Sequence, residues 1–240
     1  MELLEEHLSD QIKIFNRHLK TQTHQLSTEG VHQLRISTRR LRAVLSLLDE
    51  SGYKISPDVS SSLKLLRQSL GGRRQWDVAL KGAKKYHLKE ERLRKKQATA
   101  GILLKDAIMN SDVQKLPKSL QALDRSLKSK KIQVKKTSLQ KMRKNLKHWL
   151  SHKKLNVHEM HELRIATKKI RYAFEALDLP TEKLEELQDH LGKSHDLLIL
   201  CEYFDTPKSV KRDEKRERKK AKKQIRPALR SSLDVLESLR

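Results

Sequence analysis

The sequence predicts an all-α fold built on an internal duplication, and three observations carry the prediction. Apolar residues recur at three- and four-residue spacing almost throughout, and strand-like alternation rich in Val, Ile and Thr is nearly absent. A histidine-arginine pattern occurs twice, as His32-x2-Arg35-x3-Arg39-Arg40-x-Arg42 and as His161-x2-Arg164-x3-Lys168-Lys169-x-Arg171, with every basic position recurring as a basic residue. A second element follows each copy in the same order: Leu66-x3-Leu70-Gly71 leading to Arg74-Gln75-Trp76-Asp77, and Leu187-x3-Leu191-Gly192 leading to His195-Asp196. Two matched elements in one order mark a repeated unit. The first copy has the longer connection, around Ser51 to Ser62, where Ser, Gly and Pro are frequent.

Apolar periodicity places helices at about 2–26, 29–50, 57–70, 75–110, 112–128, 132–152, 156–178, 181–191, 195–204 and 207–239. The second stops at Ser51-Gly52, and Pro57 suits the first turn of the third. Gly71-Gly72 reads as the stop of the third, and Tyr86 as a place where the fourth can break. Pro180 precedes the eighth, Gly192 reads as its stop, and Pro207 opens the last. Such short joints predict helix-turn-helix hairpins. Each half then holds about four core helices in one domain over 1–240, with repeat one at about 1–110, connecting helices at about 111–130 and repeat two at about 131–240.

Lys and Arg number 54 against 30 Asp and Glu, a formal charge of +24 that exceeds what solubility asks of a small domain and makes a polyanion the default partner. With 36 % hydrophobic residues a thin core is within reach if each helix buries one stripe. Cys201 is the single cysteine, so no internal disulfide forms, and its leucine-rich neighbourhood reads as buried packing. The acidic start is unlike a secretory signal, and no apolar run approaches membrane-spanning length. A soluble protein of the cytoplasmic type, with no membrane partner, is expected. The run from Lys208 to Arg226 reads as a solvated helix face laced with ion pairs, a source of nonspecific attraction rather than a site.

At about 100° per residue, with His32 at zero, Arg35, Arg39 and Arg42 fall near 300°, 340° and 280°, a single cationic stripe, while Arg40 stands apart near 80°. Leu34, Leu41, Leu45 and Leu48 form a separate apolar stripe. The second copy repeats the layout, with His161, Arg164, Lys168 and Arg171 beside Leu163, Ile170, Phe174 and Leu177. Like charges at these spacings repel by a few tenths of a kcal/mol per pair. Nothing acidic intervenes on that face, so a bound anion is the better explanation of a repeated arrangement that costs stability. Arginine's planar fork donates two hydrogen bonds to a phosphate; a histidine beside it donates one, and becomes cationic when the phosphate raises its pKa. If new helices begin after Gly71 and Gly192, then Arg73, Arg74, Lys193 and His195 gather where backbone N–H groups can meet anions. Asp77 and Asp196 would cap those helices or orient arginines rather than catalyse.

Nucleic acid is the main rival ligand, because phosphate contacts serve both. Against base recognition, only nine Phe, Trp and Tyr occur, and none but Tyr172 adjoins a basic stripe. Weak nonspecific binding to RNA or DNA at low salt remains compatible with the charge. An enzyme acting on a phosphate-bearing polyanion would need metal ligands or a nucleophile with its base. His158 and His161 are spaced i,i+3 and His148 and His152 i,i+4, but no third ligand accompanies either pair, and His158-Glu159-Met160-His161 misses the zinc-protease spacing by one residue. Neither a catalytic residue, a cofactor nor a metal site is therefore assigned. Trp76 and Trp149 read as core.

With those motifs in view, the chain resembles the CHAD domain family across almost its whole length. The family's His-x-x-Arg pattern is seen at His32 to Arg42 and at His161 to Arg171, the latter followed by the typical Tyr172 and Glu175. Its Leu-Gly-x-x-Arg/His-Asp element is seen at Leu70 to Gln75 and Leu191 to Asp196, with Gln75 where the family usually has Asp. The resemblance implies two pseudo-symmetric antiparallel four-helix bundles around a basic central pore or cleft that binds long-chain inorganic polyphosphate, and association with polyphosphate granules. It makes His32, Arg35, Arg39, Arg40, Arg42, Arg73, Arg74, His161, Arg164, Lys168, Lys169, Arg171, Tyr172, Lys193 and His195 the candidate ligand residues. The Glu-x-Glu-x-Lys strand of the triphosphate-tunnel domain fused to some relatives is not found, so a binding module, not an enzyme, is expected.

Overall fold

Periodic apolar spacing becomes helix wherever it runs. In a computed structural model that describes residues 4–128, 130, 132–204 and 207–239, the described residues form α1 (Leu4–His24), α2 (Thr28–Glu50), α3 (Pro57–Lys85), α4 (Glu91–Met109), α5 (Ser111–Leu127), α6 (Lys136–Ser151), α7 (Val157–Ala176), α8 (Glu182–Tyr203) and α9 (Lys208–Ser238), with no strand among them. The all-α expectation holds. The chain divides into two compact units, Met1–Val134 carrying α1 to α5 and Lys135–Arg240 carrying α6 to α9. Among the described residues no helix is long and apolar enough to cross a membrane.

In the first unit α1 buries Leu8, Ile12, Phe15 and Leu19, a helical stripe of spacing four, three and four. The Ser27 hydroxyl caps α2 by accepting from the Gly30 N–H at 3.0 Å. Leu34, Leu41, Leu45 and Leu48 of α2 are buried as their phase predicts, and the gap between Leu34 and Leu41 is filled by Ser37 and Thr38, whose hydroxyls donate to the Leu34 carbonyl at 3.0 and 2.7 Å. Gly52 takes a φ of 96° after Ser51, and Tyr53 N–H returns to the Leu48 carbonyl, so this stop is as expected. Helix α5 packs against α1, α3 and α4, a fifth helix beside four. The Asn110 side chain caps it by accepting from Asp112 and Val113 N–H.

The glycine stops expected at Gly71-Gly72 and Gly192 are not there. α3 runs unbroken to Lys85, and α8 to Tyr203. Leu63, Leu66, Leu70, Asp77 and Leu80 stay buried in one helical phase on either side of the glycines, as do Leu184, Leu187, Leu191 and Ser194 around Gly192. A continuous buried stripe outweighs the cost of about 1 kcal/mol that each glycine brings to a helix interior. The chain does break at Tyr86, where His87 takes a left-handed φ of 54°.

The second unit is a four-helix arrangement. Asn156 and Glu159 form a reciprocal cap at the start of α7, at 2.7 and 2.9 Å. Leu163, Phe174, Leu187 and Leu229 are fully enclosed in its core, and Trp149 joins them at 7 % exposure. Trp76, expected in the core, is instead half-buried with the Lys96 ammonium 5.4 Å above its ring, and Cys201 is likewise only half-buried. The basic run in α9 is not solvated all round. Glu214, Glu217, Ala221 and Ile225 make a buried stripe along α9, which packs on α6 and α8. Val210 opens this stripe, and acids occupy its next two places, which apolar counting alone does not register. Glu214 accepts from the Ser194 hydroxyl at 2.9 Å, and Glu217 meets His190 Nδ1 at 2.8 Å. Burial opposes ionisation of Glu217, but hydrogen bonds from His190 and Lys220 prevail and hold its carboxyl below the usual carboxylate range.

Candidate anion-binding surfaces

In the first unit His32, Arg35, Arg39, Arg40 and Arg42 lie along α2, all half-buried. Arg74 of α3 acts on His32 across the α2–α3 contact. Burial first, then Arg74, push the His32 pKa below 6.5 against an opposing pull from Glu29, with lesser downward pushes from Arg35 and Arg39. The imidazole is a neutral group set in a cationic field. Arg42 is depressed by burial and by Arg67 of α3, a basic neighbour that the stripe on α2 alone does not reveal.

Arg73 turns inward. Its Nε donates to Asp77 Oδ1 at 3.0 Å, and Gln97 of α4 donates to the same oxygen at 2.6 Å. The guanidinium lies so close to Gly101 that a Cβ there would stand 2.7 Å from Arg73 Nη1. Asp77, whose side chain is fully buried, therefore orients an arginine, as one of its two expected roles requires, and does not cap a helix. Because α3 and α8 are continuous, Arg73, Arg74, Lys193 and His195 are mid-helix residues; their backbone N–H groups belong to the helix, so only their side chains can meet an anion.

The second unit gathers its residues around a cavity of about 470 Å³. His161 and Arg164 reach it from α7 and His195 from α8, on a floor that includes Met160, Leu191 and Leu198. The His161 and His195 rings stand 4.8 Å apart. Burial first, then Arg164, His158 and Lys168, lower the His161 pKa below 6.5, with Glu162 opposing. Lys168 thus acts on the same side as His161, whereas the exposed Lys169 and Lys193 do not line the cavity. Arg218 of α9 does line it, although it lies within the run expected to be solvated. Among the described residues no group of three or more His, Cys, Asp or Glu is placed to hold a metal.

Arg171 and Tyr172 also differ from the stripe reading. Arg171 is 7 % exposed, donates through Nε to Gln188 at 3.0 Å, pairs through Nη1 with Glu175 and with Glu185 at 3.0 Å, and packs over the buried Tyr172 ring at 4.3 Å. Its charge is consumed inside the unit. Glu175, four residues on in the same helix, is the sequence signal for this; Glu185 and Gln188 come from α8 and carry no local signal. At the matched positions of the first unit Arg42 faces Arg67, so two residues with one place in the pattern have opposite electrostatic surroundings.

Comparison with known proteins agrees with this architecture. The family model of the CHAD domain matches residues 6–205. The crystal structure of the CHAD domain from the plant Ricinus communis is similar at 21 % identity, with a TM-score of 0.68, covering 100 % of this chain and 92 % of that one. PptA from Streptomyces chartreusis is similar at 15 % identity, also with a TM-score of 0.68, covering 96 % of this chain and 98 % of that one. At such identities structural likeness speaks to the fold. No curated protein matches the chain.

Proposed function

The chain belongs to the CHAD domain family, and on that premise we propose that it binds inorganic polyphosphate without processing it, as a module that can attach to polyphosphate granules. The observation that carries this reading is the convergence of His161, Arg164 and His195 from two helices on one cavity, with Arg74 and His32 brought to each other in the other unit. Arginine forks and imidazole N–H groups are donors matched to phosphate oxygens, and a low-dielectric wall beneath them strengthens each bond. A polyanion long enough to engage both surfaces gains effective concentration for the second contact.

The deciding experiment is competition binding at about 0.15 M salt, where a Debye length of about 8 Å suppresses distant attraction, with long-chain polyphosphate, orthophosphate, RNA and DNA as competitors. Polyphosphate should displace the probe at the lowest concentration. Equal competition by RNA or DNA would assign the surfaces to nucleic acid. Incubation with Mg²⁺, Mn²⁺ or Zn²⁺ followed by gel analysis should leave polyphosphate length unchanged, and metal-dependent shortening lost on substitution of His158 or His161 would make the protein an enzyme.

A further inference from the structure

We propose that Arg218 of α9 is a further ligand-contacting residue of the second unit, lining from a third helix the cavity that the α7 and α8 cations line. The inference rests on the polyphosphate reading and extends it to a helix that neither repeated motif touches. Arg218 also lies beyond residues 6–205, the stretch matched by the family model.

Four observations support the assignment. Arg218 lines the same cavity as His161, Arg164 and His195, so of these four cationic or proton-accepting groups α7 supplies two and α8 and α9 one each. Its side chain is 27 % exposed, enough to face the opening and too little to be a free surface lysine's equivalent. Its acidic partner, Glu214, stands at 3.5 Å from Nη2, longer than the roughly 2.7–2.9 Å of a strong charge-assisted bond. Glu214 is held in place through its other oxygen, Oε1, which accepts from the buried hydroxyl of Ser194 at 2.9 Å. The single long contact at Nη2 leaves guanidinium N–H groups on the cavity lining for a phosphate. Glu202, exposed on the last turn of α8, also lines the cavity and opposes an anion there.

The test uses long-chain polyphosphate titrated into the full chain at about 0.15 M salt, comparing wild type with Arg218→Ala, Arg218→Lys, the Glu214→Gln/Arg218→Ala pair, Glu202→Gln, and the exposed neighbour Lys219→Ala. Arg218→Ala should weaken binding about tenfold, the lower end for a charge-assisted bond because the residue is partly solvated. Arg218→Lys should recover part of that loss, Glu202→Gln should tighten binding, and Lys219→Ala should stay near wild type. Removing the buried acid along with the arginine keeps the α8–α9 packing free of an unpaired charge, so the double variant should melt near wild type yet bind as weakly as Arg218→Ala. Its affinity should also fall less steeply with salt, since one fewer counterion is exchanged per chain bound. A double variant that binds and responds to salt like wild type, while Arg164→Ala weakens binding, overturns the role of Arg218 alone. Wild-type binding by both overturns the polyphosphate reading itself.

Discussion

His32 and His161 sit where cations already crowd them, and burial with those neighbours lowers both pKa values below 6.5. The folded apo protein thus holds fewer protons than the unfolded chain just below pH 6.5, so its stability is present above that pH and declines as pH falls toward the depressed folded values. His18, lowered by burial and by Arg17, adds to the same slope. A phosphate beside His32 or His161 reverses the local field and raises the pKa, so the complex takes up protons and affinity grows on acidification. The two effects have opposite sign. Thermal unfolding at pH 7.5 and pH 6.0 should show a lower apo melting temperature at pH 6.0 and a larger increment on adding polyphosphate; an increment indifferent to pH would remove the histidines from the site.

The same scale separates two arginines that one motif treats alike. Arg164→Ala should cost about 1.5–3 kcal/mol of polyphosphate binding with little change in melting temperature. Arg171→Ala should leave Glu175 and the half-exposed Glu185 without their cation and cost about 2–3 kcal/mol of stability, less than a fully buried pair. Paired binding and unfolding curves check both, and the reverse pattern would show that Arg171 faces the ligand. The angular layout of the stripe is legible in the sequence because i,i+3 and i,i+4 positions share a face whatever the helix packs on. Whether a stripe residue looks into the unit or out of it depends on what α8 presents, and tertiary partners such as Gln188 leave no periodic trace.

For the helices themselves, existence and most ends follow from apolar spacing and from caps such as Asn156 with Glu159. The missed elements are those where local and tertiary terms disagree. Gly71, Gly72 and Gly192 are locally helix breakers, yet a Cβ at any of them would meet no atom within 4 Å, and none has positive φ. Gly71→Ala and Gly192→Ala should each therefore raise stability by about 0.5–1 kcal/mol, chiefly by restricting the unfolded chain. Gly101→Ala should lower it, since its Cβ would strike the Arg73 guanidinium. Denaturant titrations settle the signs; destabilisation at Gly71 or Gly192 would mean that the helices need a bend there. In α9 the obstacle is different: a buried stripe that continues from Val210 through Glu214 and Glu217 becomes recognisable only once Ser194 and His190 stand opposite.

At the scale of the whole molecule a formal charge of +24 attracts any polyanion, so the question is how much of binding is bulk field and how much is contact. Helix α9 supplies the control, provided that Arg218 is left in place. Lys211, Lys215, Lys219, Lys222 and Lys223 are all exposed and do not line the cavity. Changing these five to Gln removes more charge than the double substitution Arg35→Ala with Arg164→Ala. Long-range attraction acting alone would make the five-lysine variant the weaker binder at every ionic strength. Contact chemistry predicts otherwise: at about 0.15 M salt the Debye length is about 8 Å, so exposed charges are screened while guanidinium groups touching phosphate are not. The lysine variant should chiefly slow association and the arginine variant should chiefly speed dissociation, because distant charge governs encounter and close bonds govern escape. Rates measured at two salt concentrations resolve the two terms, and a larger equilibrium loss from the lysine variant at the higher salt would move the binding surface from α2 and α7 to the outer face of α9.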